Sequence, residues 1–191
     1  MNSAICGIDE AGRGPLAGPV VVSAVIFDHN VFIPGIKDSK KLSPKQRDLL
    51  FEEILNKCFK FSIGIVDSSI IDDINILKST MLGMEKCLRE LECGKMKILI
   101  DGNYFKLKNE NHINYNFETV VKGDSKIFAI SCASILAKVT RDRIMKDYDK
   151  EFLLYDLKSN KGYPTKNHIE SIKKYGITRI HRKSFCNKFF I

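Results

Sequence analysis

Four acidic residues, far apart in the chain, have the surroundings expected of metal ligands: Asp9, Glu10, Asp101 and Asp124. Asp9 and Asp101 each end a short apolar run that reads as a β-strand, and open α/β sheets bind ligands at such strand ends. Carboxylates brought together without a basic neighbour repel each other and are tolerated mainly when a cation lies between them. We therefore expect these four side chains to share a cation site.

An all-oxygen site of this kind favours a hard cation, Mg²⁺ or Mn²⁺. Two such ions roughly 4 Å apart can activate a water molecule and stabilise the departing oxygen in phosphodiester hydrolysis. Each acid also has a simpler explanation when taken alone. A strand-terminal aspartate is commonly a turn former, and Asp124 before a long helix is commonly an N-cap.

The elements that must position these acids follow from apolar patterning and capping signals. Strands are predicted at residues 4–8, 19–27, 59–66 and 96–100, with a further short strand ending at 120–121. Helices are predicted from the Ser43 cap to about residue 57, over residues 76–91, from Asp124 to about residue 148, and after the Thr165 cap. Strands alternate with helices, so the predicted class is α/β around a mixed central sheet flanked by helices.

Length and charge restrict the function classes. The 191 residues predict one domain, with residues 150–191 as a helical, basic C-terminal extension. There are 31 Lys and Arg against 23 Asp and Glu, a formal charge of +8 that points to a polyanionic partner or to a generally lysine-rich composition. Neither a membrane-spanning run nor a leader is recognisable, and the six cysteines lack a C-x-x-C pair; these features predict a cytoplasmic protein with buried reduced thiols.

The long helix carries one polar stripe on an otherwise apolar surface. Ser131, Ser134, Lys138 and Asp142 recur at helical spacing, and Asp124 lies near the extrapolated line. We interpret the stripe as the side facing the active site, with the two serines and Lys138 as candidates for phosphate contact.

Two loops are further candidates for contact with a nucleic acid. Gly12, Arg13 and Gly14 follow the first two acids directly, and glycines there allow the backbone to approach a sugar or a phosphate. Lys40 and Lys41 lie in a polar loop just before a helix N-terminus, where a phosphate would be favoured, although solvated lysines explain them equally well.

Seven motifs, taken together, resemble those of the ribonuclease HII family. They are residues 7–15 (GIDEAGRGP), 38–43 (DSKKLS), 100–103 (IDGN), 122–125 (KGDS), 133–142 (ASILAKVTRD), 161–165 (KGYPT) and 181–185 (HRKSF). The resemblance implies a ribonuclease H-like fold with a small helical C-terminal part. It also implies an endonuclease that cleaves on the 5′ side of a ribonucleotide, in RNA/DNA hybrids or embedded in a DNA duplex, leaving 3′-hydroxyl and 5′-phosphate ends.

The resemblance also assigns roles to residues. It places the metal-binding and catalytic acids at Asp9, Glu10, Asp101 and Asp124, with Asp142 as a competitor for the fourth place; we prefer Asp124 because it lies in the Lys-Gly-Asp motif. It implies that residues 12–14 contact the ribonucleotide's 2′-hydroxyl, the group that distinguishes RNA from DNA. Contacts with the neighbouring sugar and with the DNA strand are expected from Tyr163, Arg182 and Ser184.

Two alternatives remain at this point. A ribonuclease HIII-like hybrid nuclease would usually carry an extra N-terminal domain, for which Asp9 lies too near the start, and a non-catalytic hybrid-binding protein would not need the four acids. The family implies a role in ribonucleotide excision and primer removal. We expect a monomer and no membrane contact. The hydrophobic C-terminus lacks the leading glutamine of a sliding-clamp motif, so that partner is not predicted.

Overall fold

A five-stranded mixed sheet forms the centre of the fold. In the computed structural model, residues 4–28, 30–36, 42–94, 96–106 and 115–189 are described. The strands, in the spatial order β3-β2-β1-β4-β5, are β1 (Ile5–Ala11), β2 (Val20–Phe27), β3 (Lys60–Val66), β4 (Lys97–Asp101) and β5 (Asn116–Val120). The first three are antiparallel to one another, whereas β4 and β5 run parallel to β1. The predicted mixed α/β class is confirmed.

Seven α-helices accompany the sheet in the described residues. They are α1 (Pro44–Lys57), α2 (Ser68–Ile74), α3 (Ile76–Leu91), α4 (Phe128–Glu151), α5 (Leu157–Asn160), α6 (Lys166–Tyr175) and α7 (Lys183–Cys186). Ser43 caps α1 in a capping box with Gln46, and the Thr165 side chain accepts from the His168 N–H at the start of α6, as the sequence predicts. Helix α2 was not predicted, because its seven residues are too few for a clear apolar period.

Helices cover both faces of the sheet. Val22, Ala24 and Ile26 of β2 pack with α3 on one face, and the intervening Val25 and Phe27 pack with α1 and α4 on the other. This alternation along one fully buried strand produces a three-layer arrangement. Helix α4 packs very closely on β1, since a Cβ at Gly7 would lie 2.2 Å from the carbonyl carbon of Ala129.

Two predicted boundaries near the acidic residues were wrong. Strand β1 does not end before Asp9 but continues to Ala11, because residues 9–11 pair with β2. Helix α4 begins at Phe128, and Asp124 does not cap it: Gly123–Ser125 forms a separate 3-10 turn, and the N-cap residue, Ile127, makes no side-chain cap. The 3-10 turn moves Asp124 off the helix axis and towards β4.

The C-terminal residues form a small helical cluster against the start of the chain. Ile172, Ile180 and Cys186 pack with Leu16 and Ala17, so the tail covers the segment that follows β1. All six cysteines, each within the described ranges, are free, and five are buried, as predicted. In the described part of the chain, no helix combines the length and the apolarity needed to cross a bilayer.

Candidate active site

The parallel pairing of β1 and β4 brings Asp9 and Asp101 next to each other, directly after the last residues that the two strands pair. Ile8 lies opposite Ile100 in the register, so the next residue on each strand is an aspartate. The carboxyl ends of both strands therefore open onto the same edge of the sheet, where Glu10 also lies. Asp101 is the last residue of β4, close to the predicted strand end, whereas Asp9 lies within β1, which continues to Ala11.

Asp124 joins this edge through hydrogen bonds rather than through a strand. The Asp101 Oδ1 accepts from the backbone N–H of Gly123 at 2.6 Å and from that of Asp124 at 3.4 Å. Ser131 donates its hydroxyl to the Asp124 carbonyl at 2.7 Å, which links the turn to α4. Asp9, Glu10, Asp101 and Asp124 all line one open pocket of about 540 Å³.

Burial makes the ionised form of Asp9 unfavourable. The pKa of Asp9 is raised well above its ordinary value, first by burial and then by the negative charges of Glu10 and Asp101; a hydrogen bond with Ser134 opposes the shift. Glu10 has Arg13 as an ion-pair partner at 3.4 Å. The pocket thus concentrates negative charge around a buried carboxylate, an arrangement that a bound cation would stabilise.

The donor set fits a hard divalent cation, because all four side chains offer carboxylate oxygens. In the ranges that the structure describes, no three candidate ligands are already grouped tightly enough to enclose an ion. The fit therefore rests on the chemistry of the four acids and on their shared pocket.

Asp142, the competing fourth acid, points elsewhere. Its Oδ1 lies 2.8 Å from Lys138 Nζ and its Oδ2 lies 3.9 Å from an Arg47 nitrogen. Asp142 lines a second groove of about 660 Å³ that shares Arg47 and Lys138 with the acidic pocket. The arrangement favours Asp124 over Asp142 as the fourth member of the acidic group.

The loop of residues 12–14 lines the pocket beside the acids. Gly12 has φ +98°, and a Cβ there would lie 2.1 Å from Arg141 Nε, so packing alone requires glycine at this position. At Gly14 the nearest atom to an added Cβ is Tyr163 Cε1, at 3.8 Å. Gly14 therefore leaves open space beside the acids, as a closely approaching ligand would need.

Two buried arginines hold the backbone around this loop: Arg141 binds the segment that follows it, and Arg182 binds the loop itself. Arg141 donates to the carbonyls of Pro19, Ala17 and Lys161 at 2.9–3.0 Å. Sequence reasoning did not assign Arg141 a role, although its place within the 133–142 motif (ASILAKVTRD) is a signal that could have marked it. Burial lowers the pKa of Arg141 to about 10.

The expectation that Arg182 contacts the DNA strand is corrected by its environment. Arg182 is 0% exposed and donates to the carbonyls of Gly12, Arg13 and Gly18 at 2.6–3.0 Å. Its guanidinium is enclosed by backbone oxygens and orients the loop from inside the protein.

The other residues predicted to contact the nucleic acid differ in whether they line the acidic pocket. Ser134 and Lys138 line the acidic pocket, whereas the Ser131 hydroxyl is buried and donates to backbone carbonyls, which corrects its assignment as a phosphate ligand. Ser184 is exposed but does not line the pocket. Its backbone N–H and its hydroxyl both donate to Asp72 Oδ1. Lys40 and Lys41 lie outside the described residues.

Tyr163 is brought to the pocket by the turn between α5 and α6. Its ring is 42% exposed and lines the pocket opposite Gly14. The guanidinium carbon of Arg141 lies 5.9 Å from the ring centroid. An apolar ring face and a phenolic hydroxyl are thus presented next to the four acids.

Comparisons with known proteins identify the family. The family model described as Ribonuclease HII matches residues 6–188. The chain is 48% identical over 181 residues to a ribonuclease HII of Caldicellulosiruptor bescii, covering 95% of this chain and 85% of that protein. It is 49% identical over 181 residues to a ribonuclease HII of Francisella tularensis subsp. mediasiatica, covering 95% and 94%.

Solved structures show the same fold. Ribonuclease H2 from Pyrococcus horikoshii superposes with a TM-score of 0.76 at 28% identity, covering 97% of this chain and 96% of that one. The ribonuclease HII in a complex with PCNA from Archaeoglobus fulgidus superposes with a TM-score of 0.73 at 26% identity, covering 96% and 94%. The fold is ribonuclease H-like, and the chain belongs to the ribonuclease HII family of metal-dependent nucleases that act on RNA/DNA hybrids.

Proposed function

We propose that this protein hydrolyses the phosphodiester on the 5′ side of a ribonucleotide, in RNA/DNA hybrids and in DNA duplexes with embedded ribonucleotides. One observation carries the proposal: four carboxylates line the same pocket as the Gly12–Arg13–Gly14 loop and the Tyr163 ring. The acids supply a site for phosphodiester chemistry. The loop and the ring supply the means to distinguish a ribose from a deoxyribose.

In this proposal Asp9, Glu10, Asp101 and Asp124 hold Mg²⁺ or Mn²⁺. Two divalent cations would activate the attacking water and stabilise the departing oxygen, leaving 3′-hydroxyl and 5′-phosphate ends. The protein itself fixes the positions of the acidic side chains through hydrogen bonds. Asp101 is held by two backbone N–H groups, and Asp9 by the Glu10 N–H and by Ser134.

Sugar recognition is assigned to the space between Gly14 and Tyr163. Backbone atoms of the loop can approach a 2′-hydroxyl because Gly14 carries no side chain, and the tyrosine ring can pack on the adjoining sugar. Lys138 stands at the edge of the pocket, where a phosphate of the cleaved strand would pass, and Ser134 lies beside Asp9.

The direct test is cleavage of a DNA duplex that contains one ribonucleotide. With Mg²⁺ or Mn²⁺ we expect a single nick on its 5′ side, a ligatable 3′-hydroxyl product, and no cleavage of the all-DNA duplex. A long RNA/DNA hybrid, assayed in parallel, measures how far the preference extends. Folded protein that nicks neither substrate with either metal would refute the proposal.

A matched pair of variants tests the acidic group. We expect Asp124→Asn to lower the nicking rate at least about 100-fold and Asp142→Asn to lower it less than about 10-fold, because only Asp124 lines the acidic pocket. Both substitutions remove one negative charge and keep the side-chain shape. Equal losses would place Asp142 in the catalytic group.

A further inference from the structure

Two buried histidines lie directly behind the tyrosine that the proposed function assigns to sugar recognition. His168, in α6, has Nδ1 2.9 Å from the Tyr163 carbonyl oxygen. Its Nε2 lies 3.2 Å from Nε2 of His181. His181 Nδ1 in turn lies 3.0 Å from the Thr178 N–H and 2.8 Å from the Thr178 hydroxyl. A chain of hydrogen bonds thus joins residues 178–181 to the backbone of Tyr163.

The two ends of this chain determine the proton positions. A carbonyl oxygen only accepts, so His168 donates from Nδ1 to Tyr163, and its Nε2 is then the acceptor in the neutral ring. The Thr178 backbone N–H only donates, so His181 Nδ1 is an acceptor and its Nε2 carries the proton. The two assignments agree: His181 Nε2–H donates to His168 Nε2.

The surroundings of the pair support two neutral rings. His168 is 0% exposed and His181 is 2% exposed. The Tyr155 ring packs 4.9 Å from His181, and its hydroxyl donates to the Gly176 carbonyl, not to either histidine. Asp156 is the acid that acts on His168, through charge rather than through a hydrogen bond. Burial lowers the pKa of both histidines, that of His181 to about 4.

We propose that His168 and His181 are positioning residues that orient Tyr163 for discrimination of the sugar next to the scissile bond. The proposal rests on the proposed function and deepens it. Neither histidine lines the acidic pocket, so each acts through Tyr163. Protonation of His168 would set two Nε2–H groups against each other across the 3.2 Å contact, and protonation of His181 would set its Nδ1–H against the Thr178 N–H.

The rest of the turn is fixed by separate contacts, which isolates the role of the histidine pair. Arg141 holds the Lys161 carbonyl, and the Asn160 side chain accepts from the Gly162 N–H. The Tyr163 carbonyl also accepts from the Thr165 N–H, but that bond lies within the turn itself. The bond from His168 connects Tyr163 to the buried C-terminal cluster.

The test compares two substitutions of nearly equal shape, His168→Asn and His168→Leu. The asparagine amide nitrogen is bonded to Cγ, as Nδ1 is, and can donate to Tyr163, whereas the leucine methyl cannot. We expect His168→Leu to lower kcat/KM on the single-ribonucleotide duplex about 10-fold and His168→Asn to stay within about 3-fold of wild type. Thermal unfolding of both variants controls for folding.

The same substitutions in a Tyr163→Ala background separate positioning from general support. If the histidine acts through the tyrosine, His168→Leu has no further effect once the ring is absent. A loss of equal size in both backgrounds, or equal losses for Asn and Leu, would overturn the proposal. Wild-type protein that does not cleave, or an unaffected Tyr163→Ala protein, would instead contradict the proposed function.

A spectroscopic measurement on the wild-type protein does not depend on variants that fold. Imidazole ¹⁵N shifts at neutral pH should show His168 protonated at Nδ1 and His181 protonated at Nε2. The opposite tautomer for either ring, or a charged ring, would overturn the proposed chain.

Discussion

Asp9 is the acid whose environment is least favourable to a negative charge, because it is 5% exposed and lies near two other carboxylates. Asp101 differs, since two backbone N–H groups donate to its Oδ1. The free-energy cost of carrying a negative charge in the metal-free protein therefore differs between these two aspartates. In protein sites of this kind, repulsion among the ligands is what the bound cation offsets.

This difference predicts that Asp9 is needed for activity but lowers the stability of the metal-free protein. We expect Asp9→Asn to raise the free energy of unfolding of the metal-free protein by about 1–2 kcal/mol, because a buried charge and its repulsion are removed. Nicking should fall at least about 100-fold. Urea unfolding in EDTA measures the first effect. Asp101→Asn is the matched control and should raise stability less; an equal rise would mean that burial of Asp9 is not the cause.

The two glycines of the loop should respond differently to the same added methyl group. Gly12→Ala forces a Cβ against Arg141 at positive φ, and we expect a loss of about 2 kcal/mol or more in unfolding free energy. Gly14→Ala meets nothing closer than 3.8 Å and should keep stability within about 0.5 kcal/mol. Its nicking rate should nevertheless fall, because the methyl group enters the proposed sugar site. Full activity of a folded Gly14→Ala protein would contradict that assignment.

At the scale of elements, the acidic pocket is held in shape by elements that contribute none of its four acids. Helix α4 carries Ser131 and Arg141, which fix the Asp124 turn and the loops around β1. The C-terminal segment carries Arg182, which holds the carbonyls of the glycine loop, and the two histidines behind Tyr163. The C-terminal elements therefore support both sides of the pocket.

The buried histidine pair predicts a pH dependence of stability. The folded pKa of each histidine is lowered, so the unfolded chain binds more protons below its own histidine pKa of about 6.5, and stability falls as pH drops from there towards 4. We expect His181→Asn, whose amide oxygen can still accept from Thr178, to reduce this slope by up to about 1.4 kcal/mol per pH unit. Urea titrations between pH 7 and pH 4.5 measure it. An unchanged slope would show that His181 does not contribute to the dependence.

At the scale of the whole molecule, basic side chains are concentrated next to the acidic pocket. The groove beside the acidic pocket is lined by five basic residues and two acids: Arg47, Lys138, Arg143, Lys146 and Lys161, with Asp48 and Asp142. Through Arg47 and Lys138 this groove is continuous with the acidic pocket. Phosphates of the strand beyond the cleaved bond would find complementary charge there.

This charge distribution predicts a local salt effect. We expect Lys146→Gln to weaken binding of an uncleavable duplex and to reduce the slope of log K against log salt by about one. Lys57→Gln removes the same charge about 15 Å from Arg47 along α1 and should change neither quantity. Fluorescence anisotropy at several salt concentrations provides the measurement. Equal effects of the two variants would indicate attraction by net charge alone.

The class of fold and the family could be predicted from the sequence alone, because apolar patterning and contiguous motifs depend on local order along the chain. The four acids were proposed from the same motifs, and the structure brings them to one pocket. The sequence did not determine which polar groups of α4 and the tail face the substrate. Ser131 and Arg182 were predicted to contact nucleic acid, yet both are turned inward onto backbone carbonyls. The partners of Arg182 lie up to 170 residues away, and only tertiary packing decides whether a basic side chain meets solvent or a buried carbonyl. Tertiary packing also placed Arg47 near Asp142 and His181 against His168.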